Sequence, residues 1–224
     1  MVHDAARAFR DECTALGAVL RGLTPADLDR PTDCPPWAVR DVIAHVRTGA
    51  GRLTGMLAAP APPRAEVDAA GYFGAAKFTP QVDRDRVDSA RRQAREATDP
   101  AGIAAGFDRD WRAADAAVAR QPADRVVRTR HGDPMLLTEF LVTRVVEVGV
   151  HGLDLAAALG REPWLTQAAA KVVTALLTGG RAVPAELGWD RLTVVRRATG
   201  RASLTGRERA VIEAAGVRLL AFGG

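Results

Sequence analysis

Thr143-Arg144-Val145-Val146-Glu147-Val148-Gly149-Val150-His151-Gly152-Leu153-Asp154 is the stretch on which the fold turns. It is full of valine, yet it carries a carboxylate and an imidazole. Glu147 and His151 are four residues apart, so on a helix they point to the same face. The surrounding residues are too apolar for a free surface, so a helix is predicted over about 135–159 with that face turned inward, ended by Gly160. A second apolar-periodic segment, Trp37-Ala38-Val39-Arg40-Asp41-Val42-Ile43-Ala44-His45-Val46, puts His45 in the same kind of position. Helix bundles build metal sites from inward side chains on facing helices. Two imidazoles and one carboxylate leave a divalent metal an open position, which serves chemistry rather than scaffolding. The competing explanation is a core histidine beside an i,i+4 pair that only stabilises its helix.

The flanking chain also reads as helix. Ala6, Phe9, Cys13, Leu16, Leu20 and Leu23 recur at three- and four-residue steps and predict a helix over about 3–22. Thr24-Pro25 is an N-cap followed by proline at the first helical position. A Pro-punctuated loop over 30–36 leads into a long helix over about 36–57, and 59–70 reads as a linker. A charged helix over about 83–98 is broken at Asp99-Pro100 and resumes to about Arg120. Residues 124–134 are irregular or briefly extended, with His131-Gly132-Asp133-Pro134 as turn chemistry. A helix over about 165–180 stops at Gly179-Gly180. Residues 189–198 are open between helix and strand, and Thr205 caps a short helix over 206–215. Gly49, Gly51 and Gly55 lie inside a helical pattern with no strand before them, which is not a phosphate loop.

Composition agrees with helices: alanine is abundant and only 5% of residues are aromatic, a balance that disfavours sandwiches. The 224 residues suffice for one sizeable domain plus an appendage, divided as a bundle over 1–185 and an extension over 186–224. The formal charge is +4, but the arginines alternate with acids, as in Asp83-Arg84-Asp85-Arg86. A nucleic-acid stripe would separate the signs, so nucleic acid is not expected as a partner. Cys13 and Cys34 are too few for a disulfide framework. No signal-peptide pattern opens the chain and no apolar run approaches a membrane span. A reduced, cytoplasmic protein without a membrane partner is expected.

Cys34-Pro35-Pro36-Trp37-Ala38-Val39-Arg40-Asp41-Val42-Ile43-Ala44-His45 resembles a Cys-Pro-Gly-Trp-x-Val-x-Asp-x-x-x-His signature. With Arg144-x-x-Glu147-x-x-x-His151-x-x-Asp154 and the tail from Arg197 to Glu208, it is similar to the mycothiol-dependent maleylpyruvate isomerase family of the DinB-like superfamily. Pro36 stands where that family usually has glycine. The resemblance implies an all-α, DinB-like four-helix bundle with a short C-terminal extension. It implies a divalent metal, usually zinc, on His45, Glu147 and His151, and mycothiol as thiol cofactor. In such isomerases a thiolate adds to a cis double bond, the bond rotates, and elimination gives the trans product. In related transferases the thiol remains on the electrophile. About 35 residues follow Trp189, fewer than a separate C-terminal α/β domain needs, which favours a generic thiol transferase.

Around the three ligand candidates, Arg144, Asp154 and Arg201 are the candidate catalytic residues. Asp154 is placed to orient a ligand or to be a surface acid, and Arg144 to pair with Glu147 or a substrate carboxylate. The C-terminal arginines Arg196, Arg197 and Arg201 are candidates to receive an anionic substrate. Trp37 reads as a core anchor, Cys34 as packing, Asp41 as a possible support for His45, and His131 as a surface residue. The expected protein is a monomer or homodimer acting on a small electrophile. A metal-dependent hydrolase on the same bundle and a non-catalytic helical module are the alternatives.

Overall fold

Helix-forming segments account for most of the chain, and capping residues set where they begin. The computed structural model describes residues 2–74, 79–95 and 99–220. Helix α1 spans Val2–Leu20. The short α2 (Pro25–Leu28) starts at Thr24, whose hydroxyl and the Asp27 carboxylate close a capping box. Helix α3 (Val39–Ala58) begins three residues later than the periodicity suggests, because the Asp41 carboxylate accepts from the Ala38 N–H at 2.9 Å. Pro36 therefore lies in the preceding loop, where the Pro35–Pro36 bond is cis. Helices α4 (Ala69–Tyr72), α5 (Pro80–Ala94) and α6 (Pro100–Val118) are capped by Asp68, Thr79 and Asp99. Helix α7 (Leu137–Leu159) ends at Gly160, whose φ of 63° is the left-handed cap that glycine adopts without strain.

Four long helices form the bundle: α1 packs on α6 and α7, and α3 packs on the same two. The charged α5 lies outside this ring, against α3. Helix α7 is buried on nearly every side, from Leu137 to Leu159, which explains its unbroken apolar run. Helix α8 (Gln167–Thr178) covers α1 and α7, and α9 (Arg191–Ala198) covers α8. Between the helix and strand readings of this last segment, burial decides for helix: Val194, Val195 and Ala198 share one face in the common core. Helix α10 (Gly206–Ala214) follows a Thr205–Glu208 capping box. The briefly extended region forms a hairpin of β1 (Val126–Arg128) and β2 (Pro134–Leu136). Val67 bridges to Met135 beside it, which carries α4 and Tyr72 across the top of α7. No described helix is long and apolar enough to cross a membrane.

Glu12 is fully buried on α1. One carboxylate oxygen accepts from the Thr166 N–H and hydroxyl at 2.9 and 2.7 Å, tying the start of α8 to α1. The other oxygen has no hydrogen-bond partner. Burial raises the Glu12 pKa, and the two bonds from Thr166 only partly offset it. A carboxyl whose folded pKa exceeds its unfolded value favours folding when protonated. That contribution is fully present below the unfolded pKa of about 4.3 and is lost as pH rises through the folded one. Glu12→Gln is expected to keep an oxygen for Thr166 and to lack this loss. Urea denaturation at pH 4.5 and pH 7 would measure it, and an identical pH dependence in the two proteins would refute the assignment.

Candidate metal centre

His45 comes from α3 and Glu147 and His151 from α7, two adjoining helices of the bundle. All three line one cavity, with Cys34, Trp37 and Tyr72 among its other walls. The His45 Nε2 lies 3.5 Å from Glu147 Oε1. The rings of His45 and His151 meet edge to face with centroids 5.1 Å apart. Trp37, buried as a core anchor, also stacks on His45 at 4.8 Å. Desolvation pushes the His45 pKa down to about 3, against the pull of Glu147, so the imidazole is neutral and its lone pair available.

Glu147 is held from one side only. Arg144, one turn earlier on α7, pairs with Oε2, stacks its guanidinium over Phe140 at 4.7 Å and reaches the Tyr72 hydroxyl at 3.4 Å. Burial raises the Glu147 pKa, but the charges around it, Arg144 foremost, outweigh it and bring the pKa below its ordinary value. Its Oε1 is buried with no hydrogen-bond partner. An ionised oxygen of this kind, 3.5 Å from His45 Nε2, suits a cation rather than empty space.

His151 is oriented from behind. Its Nδ1 lies 2.9 Å from Asp154 Oδ2. Asp154 is buried, which raises its pKa, yet the bonds from His151 and Arg201 more than compensate and keep it ionised. Nδ1 therefore carries the proton and donates, leaving Nε2 as the ligand atom. Arg201 grips both Asp154 oxygens, Nε to Oδ1 and Nη2 to Oδ2, each at 2.9 Å. The Cys34 thiol donates to the same Oδ2 at 3.2 Å. Burial and Asp154 push the Cys34 pKa up to about 12, so it stays a thiol and is no nucleophile.

Among the described residues, Cys34, His151 and Asp154 present ligand atoms within 4.8 Å of one another. That group overlaps the trio at His151. Asp154 is already satisfied by a guanidinium and an imidazole, and Cys34 would have to surrender a tightly held proton. The orphaned oxygen of Glu147 and the neutral imidazole of His45 make the other set the better fit for a divalent ion.

Other sequence expectations need revision. His131 is not a free surface residue; it is half-buried in the cavity wall, its ring 5.7 Å from Tyr72. Asp41 caps α3 rather than supporting His45. Arg197 is engaged by Glu208 and Trp189, away from the site. Tyr72, Arg86 and Arg130 line the cavity although nothing in their local sequence marks them. Gly49 carries a steric requirement that sequence reasoning missed: a Cβ there would collide with Glu147 Oε1 and come within 2.9 Å of Arg144 Nη1. The signal available for it is its place one turn after His45 on the same face.

Helix propensity alone makes Gly49→Ala stabilising by about 1 kcal/mol. The close approach of Glu147 reverses the sign, and a loss of about 1–3 kcal/mol is expected, typical of overpacking. Denaturation midpoints at constant slope would measure it, and a gain in stability would contradict this packing.

No characterised protein sequence matches the chain significantly. The crystal structure of the mycothiol-dependent maleylpyruvate isomerase is similar, with a TM-score of 0.54 over 80% of this chain and 70% of that one at 15% identity. A histidine-to-alanine mutant of that enzyme aligns equally well. At this identity the likeness speaks for the fold. The family described as "Mycothiol maleylpyruvate isomerase N-terminal domain" matches residues 9–156, a span that includes His45, Gly49, Glu147, His151 and Asp154 but not Arg201. With most of its bundle inside that match, the chain belongs to the mycothiol maleylpyruvate isomerase N-terminal domain family.

Proposed function

We propose that this protein is a metal-dependent enzyme that uses a low-molecular-weight thiol, mycothiol, against a small electrophile, by thiol transfer or thiol-assisted cis–trans isomerisation. The observation that carries the reading is the buried, ionised Oε1 of Glu147, which lies beside His45 without a hydrogen-bond partner. His45, Glu147 and His151 would hold the metal, with zinc the expected ion. A divalent ion bound there supplies the charge that keeps a coordinating thiol deprotonated near neutral pH.

The chain's own residues do the rest. Arg144 holds Glu147 by one oxygen and leaves the other free. Asp154 fixes the tautomer of His151 and is itself fixed by Arg201. These three act on ligands rather than on substrate, so they are positioning residues. Trp37 covers the histidines on one side, which excludes water from the thiol and strengthens charge interactions inside the cavity. Of the two candidate bases for the hydrolase alternative, Asp154 is saturated by His151 and Arg201 while His131 lines the cavity, so that alternative rests on His131 alone.

Elemental analysis of the purified protein is expected to give stoichiometric zinc, lost in His151→Ala. Absence of metal from both after zinc reconstitution would overturn the reading. Arg201→Gln is expected to retain the fold and weaken zinc about ten- to a hundredfold in a chelator competition, as removal of a ligand's support does. Unchanged affinity would remove Arg201 from the site. Incubation with mycothiol and candidate electrophiles separates the chemistries. Thiol consumption marks transfer, isomer without net consumption marks isomerisation, and product without thiol marks the hydrolase.

A further inference from the structure

The cavity that holds His45, Glu147 and His151 lies between α5 and α7: each of these helices packs on α3, and side chains of both line the hollow. Helix α5 is strongly hydrophilic. Apart from the proline that starts it, its large apolar residues are Val82 and Val87. An amphipathic surface helix ordinarily turns such residues onto the helix that supports it. Here the described residues of α5 that are fully buried are the small Ala90 and Ala94, and both valines stand half-buried in the cavity wall. Phe73, the residue that ends α4, joins them there, its ring edge to face with Tyr72 at 5.4 Å. From α7 come Val146 and Val150, each one residue before a metal candidate.

The polar and apolar parts of this wall are not in the same condition. Arg144 pairs with Glu147, Cys34 and His151 both bond to Asp154, and Arg86 stands over the Trp37 ring at 5.9 Å. Those groups are answered within the protein. The valines of α5 and of α7 belong to helices that the hollow keeps apart. Apolar surface around a hollow forgoes both the stabilisation of burial and the dispersion contacts of a filled interior. An apolar guest restores both. A charged guest would exchange its hydration for valine and phenylalanine side chains, which offer it no hydrogen bond. The cavity volume, about 110 Å³, is of ring size: an apolar cavity of about 150 Å³ takes up benzene.

We propose that Phe73, Val82 and Val87 form an apolar wall that seats an uncharged, ring-sized group of the electrophile. This deepens the functional reading above and rests on it for the identity of the guest as substrate. A body seated on the wall shares the hollow with His45, Glu147 and His151, so a reactive carbon attached to it is held where the thiol is to act. Labour is divided between layers of the fold. The bundle helices α3 and α7 carry the candidate ligands, and the outer helix α5 reads the substrate. The substrate class is an electrophile with an aromatic or comparably bulky uncharged body. Small polar electrophiles leave the wall uncovered and bind less well.

Toluene, which has a ring and no electrophilic carbon, isolates seating from chemistry. An NMR titration of the purified protein with toluene is expected to show saturable binding. The double substitution Val82→Thr and Val87→Thr keeps side-chain shape and is expected to weaken it about tenfold or more, the scale of a lost methylene-sized contact in an apolar pocket. Thermal melts of the variant serve as the folding control. Phenyl vinyl sulfone and methyl vinyl sulfone then share one reactive group and differ in the body attached to it. On addition of mycothiol the sulfur bonds to the terminal vinyl carbon and the π pair moves to the carbon beside the sulfone. That carbon takes the proton the thiol released, and nothing leaves. After correction for the uncatalysed rates, kcat/KM is expected to favour the phenyl compound about tenfold or more, a preference lost in the double variant. Absence of toluene binding, binding unchanged in the double variant, or equal treatment of the two sulfones would each overturn the wall. Failure to consume mycothiol with either sulfone would count against the functional reading and leave the toluene titration to decide the wall, so the two failures are separate results.

Discussion

A helix buried on nearly every side carries charge at a cost wherever a charged atom lacks a partner. Helix α7 is such a helix, and it carries Arg144, Glu147, His151 and Asp154 as a polar stripe among valines and leucines. Transferring an unpaired carboxylate to such surroundings costs several kcal/mol, so the neighbouring structure is arranged around the stripe. Arg144 neutralises Glu147 within the helix. Asp154 draws Arg201 from the C-terminal segment. Gly49 clears space on α3 for a carboxylate that would otherwise strike a side chain. Glu147 Oε1 is left without a hydrogen-bond partner, 3.5 Å from His45 Nε2. With Glu147 Oε1 orphaned and the Nε2 of His151 left free by the Asp154 bond to Nδ1, the stripe has the pattern of a binding site rather than of a core polar network.

The C-terminal segment is more than a cover for the bundle. Its apolar residues Val194, Val195 and Ala198 join the common core, and that packing fixes the turn in which Arg201 sits. Arg201 then spends its planar fork on both oxygens of Asp154, a geometry lysine cannot reproduce. The bond from Asp154 to His151 orients a ring at the cavity floor. A residue outside the matched family region thus bears on the centre of the site through two hydrogen bonds. Two adjoining cavities meet at that centre: Arg86, Arg130 and Arg144 line both, while Cys34 and Trp37 belong to one and Arg52 to the other.

Much of this is legible along the chain. The faces of α3 and α7 follow from apolar periodicity, and the ends of α2, α6, α7 and α10 from their caps and glycines. His45, Glu147 and His151 can be named together because two helices each offer an inward polar residue. Less legible are features that depend on contacts across the fold. The start of α3 moves because a side-chain cap overrides the periodicity. His131 sits in a turn that is exposed in most proteins, but Val67 pairs beside the hairpin and brings Tyr72 over it.

The sequence by itself determined which residues share a helix face, where most helices stop, and that α7 must be buried while bearing charge. Those properties are local: they depend on 3.6 residues per turn, on cap chemistry and on burial of apolar surface. Only the tertiary structure decided which distant groups answer that charge. Arg201 lies 47 residues beyond Asp154, and Arg130 approaches Arg52 from a different element altogether. Such meetings depend on helix crossings and loop paths, to which periodicity is blind. Arg201, Arg196 and Arg197 look alike in sequence, and it is the packing of α9 that brings one of them to the buried carboxylate.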